Sequence, residues 1–334
     1  MSAAQEQTAR ITEPGVYKMP AEQYHADPCP VPSLSRSIAK TLIEQSPEHA
    51  YRKHPRLGGA GDIIPTKGMD AGSAIHTLLL GNGNALVEMQ SIYGMKHELA
   101  GEPVGDFKTK VAQEERDYIR EKGGIPILKC DMPKIQRCAE VATAKLHKLQ
   151  DGAGFFAPGR SEAVLAWQEG DIWLRIMVDR LPDDLSLPMY DLKLTGMSAA
   201  PGAWERRLQT EYAFQDAFYR RGFKAVFGVD AQPMRFIVIE DEEPHGTVIN
   251  AAANALRQIA DEEVEDAIQS WRKCMKSGKW PSYPPYTAWI EPTSWQMTQH
   301  EYRKMRNDFM DEHPSPDMIA KFRRIEQEIG GPLK

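Results

Sequence analysis

Asp179, Asp191 and Lys193 have the residue types and spacing for metal-assisted attack on a phosphate ester. In Ile172-Trp173-Leu174-Arg175-Ile176-Met177-Val178-Asp179 the even positions are all aliphatic, while the odd ones carry Trp, Arg, Met and Asp. That period of two predicts a half-buried strand with Asp179 at its end, on the face away from the aliphatic core. Asp191 and Lys193 are separated by one residue, so an extended segment puts them on one face while Leu192 and Leu194 turn the other way into packing. Two carboxylates can hold Mg2+, with the Leu192 carbonyl as a further oxygen donor. Such an ion polarises a phosphodiester and lowers the pKa of a bound water, and a lysine beside it orients the attacking water or stabilises the developing charge. A D-x-K triplet also arises by chance in a chain this rich in charge, so its weight comes from its neighbours.

The neighbouring segments predict elements that position these groups. Ser161-Glu162-Ala163-Val164-Leu165-Ala166-Trp167 reads as a strand, and Gln168-Glu169-Gly170-Asp171 as the hairpin turn into the next one. Glu162 then falls near Asp179 across the hairpin. Residues 203–221 have helical spacing, with Trp204, Leu208, Tyr212, Gln215 and Tyr219 along one stripe, and a further strand covers 234–240. The order is strand, strand, strand with D-x-K, helix, strand.

This order, with Glu162, Asp179, Asp191-Leu192-Lys193 and Tyr212-Ala213-Phe214-Gln215-Asp216-Ala217-Phe218-Tyr219, resembles the PD-(D/E)XK nuclease superfamily. It is most similar to the RecE-type, exodeoxyribonuclease VIII-like branch of phage and prophage nucleases. Three further stretches carry the closer resemblance: Asp70-Ala71-Gly72-Ser73-Ala74-Ile75-His76-Thr77-Leu78-Leu79-Leu80, Ser277-Gly278-Lys279-Trp280-Pro281-Ser282-Tyr283, and the lead-in from Tyr17 through Ser37 with Tyr24-His25 and Ser33-Leu34-Ser35-Arg36-Ser37. The resemblance covers roughly residues 15–295. It implies an α/β (α+β) fold with a restriction-endonuclease-like core, a central mixed β-sheet flanked by helices, and a helical insertion. It also implies an Mg2+-dependent exonuclease, with Mn2+ as an alternative ion, that digests linear double-stranded DNA 5′ to 3′ and leaves 3′ single strands for a RecT-like annealing protein. A homo-oligomeric ring such as a tetramer is part of the same expectation. Residue by residue, His76, Asp179 and Asp191 match metal positions, joined by the Leu192 carbonyl. Lys193 matches the catalytic lysine, Glu162 the carboxylate of the first core strand, and Gln215 and Tyr219 the helix motif that organises the site. A PD-(D/E)XK endonuclease or repair nuclease, and a catalytically idle scaffold for an annealing protein, stay open as alternatives.

By residue type alone His76 reads first as a packing residue among Ile75, Leu78 and Leu79, and only the resemblance makes it a ligand. The chain departs from the family where Met177-Val178-Asp179 replaces R-P-D and where Leu194 follows Lys193. Arg175 lies on the right strand face to replace the missing arginine at the DNA, whereas Arg180 does not. Further DNA contacts are expected from Arg206, Arg207, Arg220 and Arg221 around the Gln215 helix. Those basic residues answer the net charge of −6, which by itself speaks against a nucleic-acid partner.

With 334 residues, 41% of them hydrophobic, the chain can bury a sizeable core. No apolar run approaches a membrane span and the polar N-terminus has no signal-peptide core, so the expected location is the cytoplasm, with no membrane partner. Cys29, Cys130, Cys138 and Cys274 are scattered without C-x-x-C, against a zinc or iron-sulfur site. The expected organisation is a nuclease domain over 1–300, with an insertion or arch at about 82–150 and a core at about 160–250, followed by a helical tail over 301–334. Within it, Ser35 is expected to cap one helix running to about residue 53.

Overall fold

The computed structural model describes residues 10–59, 67–81, 83–89, 103–311, 315–328 and 330; the other positions, among them parts of the expected insertion and tail, lie outside the described residues. The chain divides into two compact units, Met1–Tyr283 and Pro284–Lys334. The first runs β1 (Gly15–Tyr17), α1 (Ala21–His25), β2 (Leu34–Ser35), α2 (Arg36–Glu44), α3 (Pro47–Lys53), α4 (Lys67–Leu80), β3 (Leu86–Glu88), α5 (Lys110–Glu121), β4 (Ile125–Ile127) and α6 (Met132–Leu146). It continues with β5 (Gly159–Glu169), β6 (Ile172–Pro182), β7 (Tyr190–Thr195), α7 (Pro201–Arg207), α8 (Ala213–Phe227), β8 (Arg235–Glu240), β9 (Thr247–Asn250) and α9 (Asn254–Ser277).

The predicted hairpin forms. β5 and β6 pair antiparallel from Gly159 opposite Pro182 to Glu169 opposite Ile172, joined by the two-residue turn Gly170-Asp171 in which Gly170 takes φ +63°. The central sheet has the order β1-β5-β6-β7-β8-β9, with β2 also beside β6; β7/β8 and β2/β6 are parallel and the other pairs antiparallel. This is the mixed sheet flanked by helices that the sequence predicts.

The alternation of β5 and β6 decides which helices cover which face. Ala163, Leu165 and Trp167 with Leu174, Ile176 and Val178 pack against Phe214, Phe218 and Phe223 of α8 and Val264, Ile268 and Trp271 of α9. Gly222 lets α8 approach the sheet closely, since a Cβ there would stand 2.6 Å from the Trp167 ring. On the other face, Ile237 and Ile239 of β8 and Leu192 and Leu194 of β7 meet Ile75 of α4 and Ile135, Cys138 and Ala142 of α6. Each fully buried side chain of this size contributes about 1.5–3 kcal/mol of transfer free energy.

Two expectations are corrected here. The helix from Ser35 is two helices, because Ser46-Pro47 starts a new one: the Ser46 hydroxyl accepts from His49 N, and Pro47 takes the first helical turn, where its missing N–H is no loss. The described part of 82–150 is not purely helical, since β3 and β4 pair in parallel, and α6 packs as part of the layer against the sheet. The helical tail consists of α10 (Ser294–Asp311) followed by α11 (Pro316–Glu328). Within that second unit Tyr302 is buried, stacks on Phe322 at 4.8 Å and donates its hydroxyl to Glu326 at 3.0 Å. Among the described residues no helix is long and apolar enough to cross a membrane.

Candidate active site

The site lies where the sheet forks. On one edge of β6, β2 pairs at Leu174 and Arg175, while β7 pairs at Arg180 opposite Tyr190. Between them, residues 176–179 of β6 have no strand partner on that edge among the described residues. Extending the β6/β7 register by one step sets Asp179 opposite Asp191, and the β5/β6 register sets Glu162 opposite Asp179. By register, three carboxylates therefore occupy neighbouring positions of β5, β6 and β7.

Side chains take over the interrupted ladder. Asp179 Oδ2 accepts from Leu192 N at 2.8 Å, and the Tyr219 hydroxyl donates to the Met177 carbonyl at 2.9 Å. An extended residue points its N–H and C=O to the same edge, so the Leu192 carbonyl faces the fork as well. Glu162 adopts φ +54°, a left-handed conformation costly for a side chain with a Cβ and frequent at functional positions.

Helices bring the remaining groups from both faces. From α4, His76 Nε2 lies 3.1 Å from Asp179 Oδ2, and Nδ1 lies 3.8 Å from Glu162 Oε1. From α8, Gln215 Nε2 donates to Asp191 Oδ2 at 2.5 Å. Asp191, 3% exposed, ion-pairs through Oδ1 with the Lys193 ammonium. That ammonium also stands 5.3 Å from the centroid of the Tyr212 ring, in cation–π range. His76, Glu162, Asp179, Asp191, Lys193, Gln215 and the Leu192 backbone thus converge, with Tyr219 bonded to the adjoining Met177 carbonyl.

The expected helix over 203–221 is instead α7, a π-turn at Leu208–Tyr212 and α8. The π-turn gives the helix a wide turn ahead of Gln215, in the kind of irregularity that recurs at functional sites. Arg36 of α2 secures it, its Nη2 donating to the Glu211 carbonyl at 2.8 Å and to Glu211 Oε2 at 3.1 Å. Tyr212 ends this turn, stacked on Trp204 with centroids 5.5 Å apart. Arg36 and Tyr212 both lie within motifs quoted above, but periodicity cannot show an inserted turn, so no local signal marks either residue as part of the site.

Electrostatics separate the two aspartates. Burial alone would raise the Asp179 pKa, but the His76 hydrogen bond, the His76 and Lys193 charges and the Leu192 amide hold it below the ordinary value. Burial raises Asp191, and the Asp179 charge adds to the rise against the opposing charge of Lys193. Burial would lower Lys193 and His76, yet the surrounding carboxylates raise both, favouring the cationic form of each.

The donor set fits a hard divalent cation. Among the described residues, Asp191 Oδ1 is buried without a hydrogen bond of ordinary geometry and has the Lys193 ammonium against it. Two carboxylates and a peptide carbonyl are oxygen donors suited to Mg2+, and the imidazole of His76 suits Mn2+ better. Among the described residues no three His, Cys, Asp or Glu groups are placed to hold a metal ion together; His76 pairs with Asp179, and Asp191 with Lys193 and Gln215.

The expected DNA-binding arginines need correction. Arg175 is 2% exposed; its Nη1 donates to Asp27 Oδ1 at 2.9 Å and to the Ser33 carbonyl at 2.8 Å, so it ties the N-terminal lead to β6 and cannot reach DNA. Arg220 pairs with Asp216 and Asp261, both at 2.7 Å, and Arg221 with Glu169 at 2.6 Å and Glu265 at 2.7 Å. The acidic residues of α9 thus neutralise the basic pair of α8, and both arginines fasten helices together. Arg206 and Arg207 are exposed at the end of α7, where Arg207 lies 5.4 Å from the Trp204 ring.

This mixed sheet flanked by helices, with Asp179, Asp191 and Lys193 at its fork, is a PDDEXK-like nuclease fold. Within it, the chain belongs to the family described as a PDDEXK-like domain of unknown function (DUF3799), whose model matches residues 35–288. A crystal structure from Eubacterium rectale, described as a "putative exonuclease", superposes with a TM-score of 0.50 at 13% identity, covering 83% of this chain and 97% of the other. At that identity the likeness is one of fold. No curated protein sequence matches the chain. Nucleases of this class generally work with divalent metals.

Proposed function

We propose that this protein is an Mg2+-dependent exodeoxyribonuclease, able to use Mn2+, that degrades linear double-stranded DNA from 5′ to 3′. The observation that carries the nuclease reading is the buried Asp191 held between Lys193 and Gln215, with Asp179 facing it across the fork. The exonuclease mode, the polarity, a RecT-like annealing partner, a homo-oligomeric ring and a cytoplasmic role in recombination rest on the resemblance to the RecE-type branch.

Asp179, Asp191 and the Leu192 carbonyl would hold the cation, with His76 beside them; the cation would supply Lewis acidity to the scissile phosphodiester. Lys193 keeps its proton among the carboxylates and so presents N–H donors to the attacking water and to the charge that develops at phosphorus. Gln215 fixes the Asp191 carboxylate through Oδ2, which leaves Oδ1 for the cation and the lysine. His76 orients Asp179 from the opposite face and joins it to Glu162. Tyr219 keeps the fork open by occupying the Met177 carbonyl that a strand neighbour would otherwise use.

The test is purified protein on end-labelled linear and covalently closed circular duplex, with Mg2+, Mn2+ or EDTA. Loss of label from linear 5′ ends with the circle spared supports the reading. Nicking of the circle identifies an endonuclease, and no cleavage of either substrate refutes nuclease function.

A further inference from the structure

Once Arg175, Arg220 and Arg221 are committed to internal ion pairs, another set of cations remains at the end of β1 and on β5 and β6. β1 covers β5 only from Val164 to Ala166, so along that edge residues 159–163 have no strand partner among the described residues. A cavity of about 470 Å³ opens there, lined by Tyr17, Lys18, Gly81, Arg160, Ser161 and Arg180 among others. Its volume is within the roughly 300–1,000 Å³ of small-ligand sites and accommodates a nucleotide unit. The cavity is lined by chain neighbours of the active-site residues: Ser161 adjoins Glu162, Arg180 follows Asp179, and Gly81 follows the helix that carries His76.

The cations have different jobs. Arg180 is an anchored charge: its guanidinium donates to the carbonyls of Phe155 at 3.1 Å, Ala157 at 2.6 Å and Gly159 at 3.3 Å, and to Ser161 Oγ at 3.2 Å. Lys18 and Arg160 are exposed and able to turn toward a ligand. Two carboxylates adjoin them: Asp183, 3.8 Å from Arg160 in an exposed pair worth little, and Glu162, turned toward His76. An open sheet edge flanked by cations forms an anion-binding concavity.

Resting on the nuclease reading, we propose that this groove binds a phosphate group of the substrate strand, with Lys18 and Arg160 as its direct contacts and Arg180 as the fixed charge beneath them. The groove leads the strand past Glu162 into the fork.

The test is the affinity of the full-length protein for a fluorescent 20-base-pair duplex in EDTA across a salt series, a readout independent of cleavage. The double variant Lys18→Ala/Arg160→Ala is expected to bind about 10-fold more weakly and to flatten the slope of log K against log salt by about 0.9 for each phosphate that is no longer neutralised. Lys110→Ala, a control on α5 whose side chain is 89% exposed, is expected to leave both quantities unchanged. A duplex with 5′-phosphate ends and one with 5′-hydroxyl ends distinguish sources: equal weakening on both assigns the groove to internal phosphodiesters, and weakening on the phosphorylated duplex alone assigns it to the terminal phosphate. Unchanged affinity and slope in the double variant, or an equal loss in Lys110→Ala, overturns the groove. Because cleavage is not measured, that failure leaves the nuclease reading untouched, and failure to digest linear DNA leaves the binding result intact.

Discussion

Tyr212 presents the face of its ring to Lys193, with the ammonium 5.3 Å from the ring centroid. The same ring is held from behind by Trp204 and from the side by Phe236, at centroid distances of 5.5 and 5.2 Å. The lysine is therefore gripped between a carboxylate and an aromatic face. Tyr212→Leu is expected to lower kcat about 10-fold with KM for DNA unchanged, consistent with the roughly 1–2 kcal/mol of a desolvated cation–π contact. Tyr212→Phe keeps the ring and is expected to keep most of the rate. Equal losses in both variants would mean that the ring face is irrelevant, and steady-state kinetics on linear duplex decides.

Gln215 controls the second aspartate. Its amide supplies a hydrogen bond to Asp191 Oδ2, on a carboxyl that burial already pushes toward the neutral form. Gln215→Ala removes that donor, and supporting interactions of this kind are typically worth about 10- to 100-fold in metal affinity or activity. The expected result is an Mg2+ half-saturation raised by about that factor, with activity partly recovered at high Mg2+. An unchanged Mg2+ titration contradicts the assignment.

The Asp27–Arg175 pair should govern acid stability, not DNA binding. Asp27 accepts from Ser33 N at 3.0 Å, Ser33 Oγ at 2.6 Å and Arg175 at 2.9 Å, with His54 Nε2 at 3.3 Å. Burial would raise its pKa, but these partners hold it below the ordinary value of 3.8. A depressed carboxyl stabilises the fold fully above the unfolded value and loses that contribution as pH falls through the folded one. Asp27→Asn tolerates the φ of +64° yet leaves Arg175 buried without its counter-charge, at a cost of about 3–5 kcal/mol. Thermal melts should show a lower Tm at pH 7 and a gap to wild type that narrows below pH 3.8. A gap independent of pH would refute the pairing, as would a shallower DNA salt slope in the variant.

Much of this site could be read from residue periodicity. The alternation around Asp179, the Gly170 turn and the Gln215-to-Tyr219 spacing put Glu162, Asp179, Asp191 and Gln215 on the strands and helix that carry them in the structure, because strand and helix periods decide which residues share a face. The fork was not legible: it depends on β2 and β7 sharing one edge of β6, a long-range pairing that no local pattern encodes. The fates of the arginines were hidden for the same reason. Arg175 lies on the strand face that its position predicts, yet Asp27, 148 positions upstream, reaches it first. Arg220 and Arg221 look available in sequence until α9 brings Asp261 and Glu265 against them. The π-turn at Leu208–Tyr212 escapes detection because one wide turn barely disturbs the helical stripe.

The most direct measurement is single-turnover release of nucleotides from linear duplex in Mg2+ by Lys193→Ala beside wild type. Lys193 meets Asp191 and Tyr212 at the rim of the fork, so the variant should keep a cooperative thermal transition. The account predicts a rate at least about 10²–10³-fold lower, the scale for removing one stabilising donor from an active site. Wild-type rates in a folded Lys193→Ala protein would contradict it.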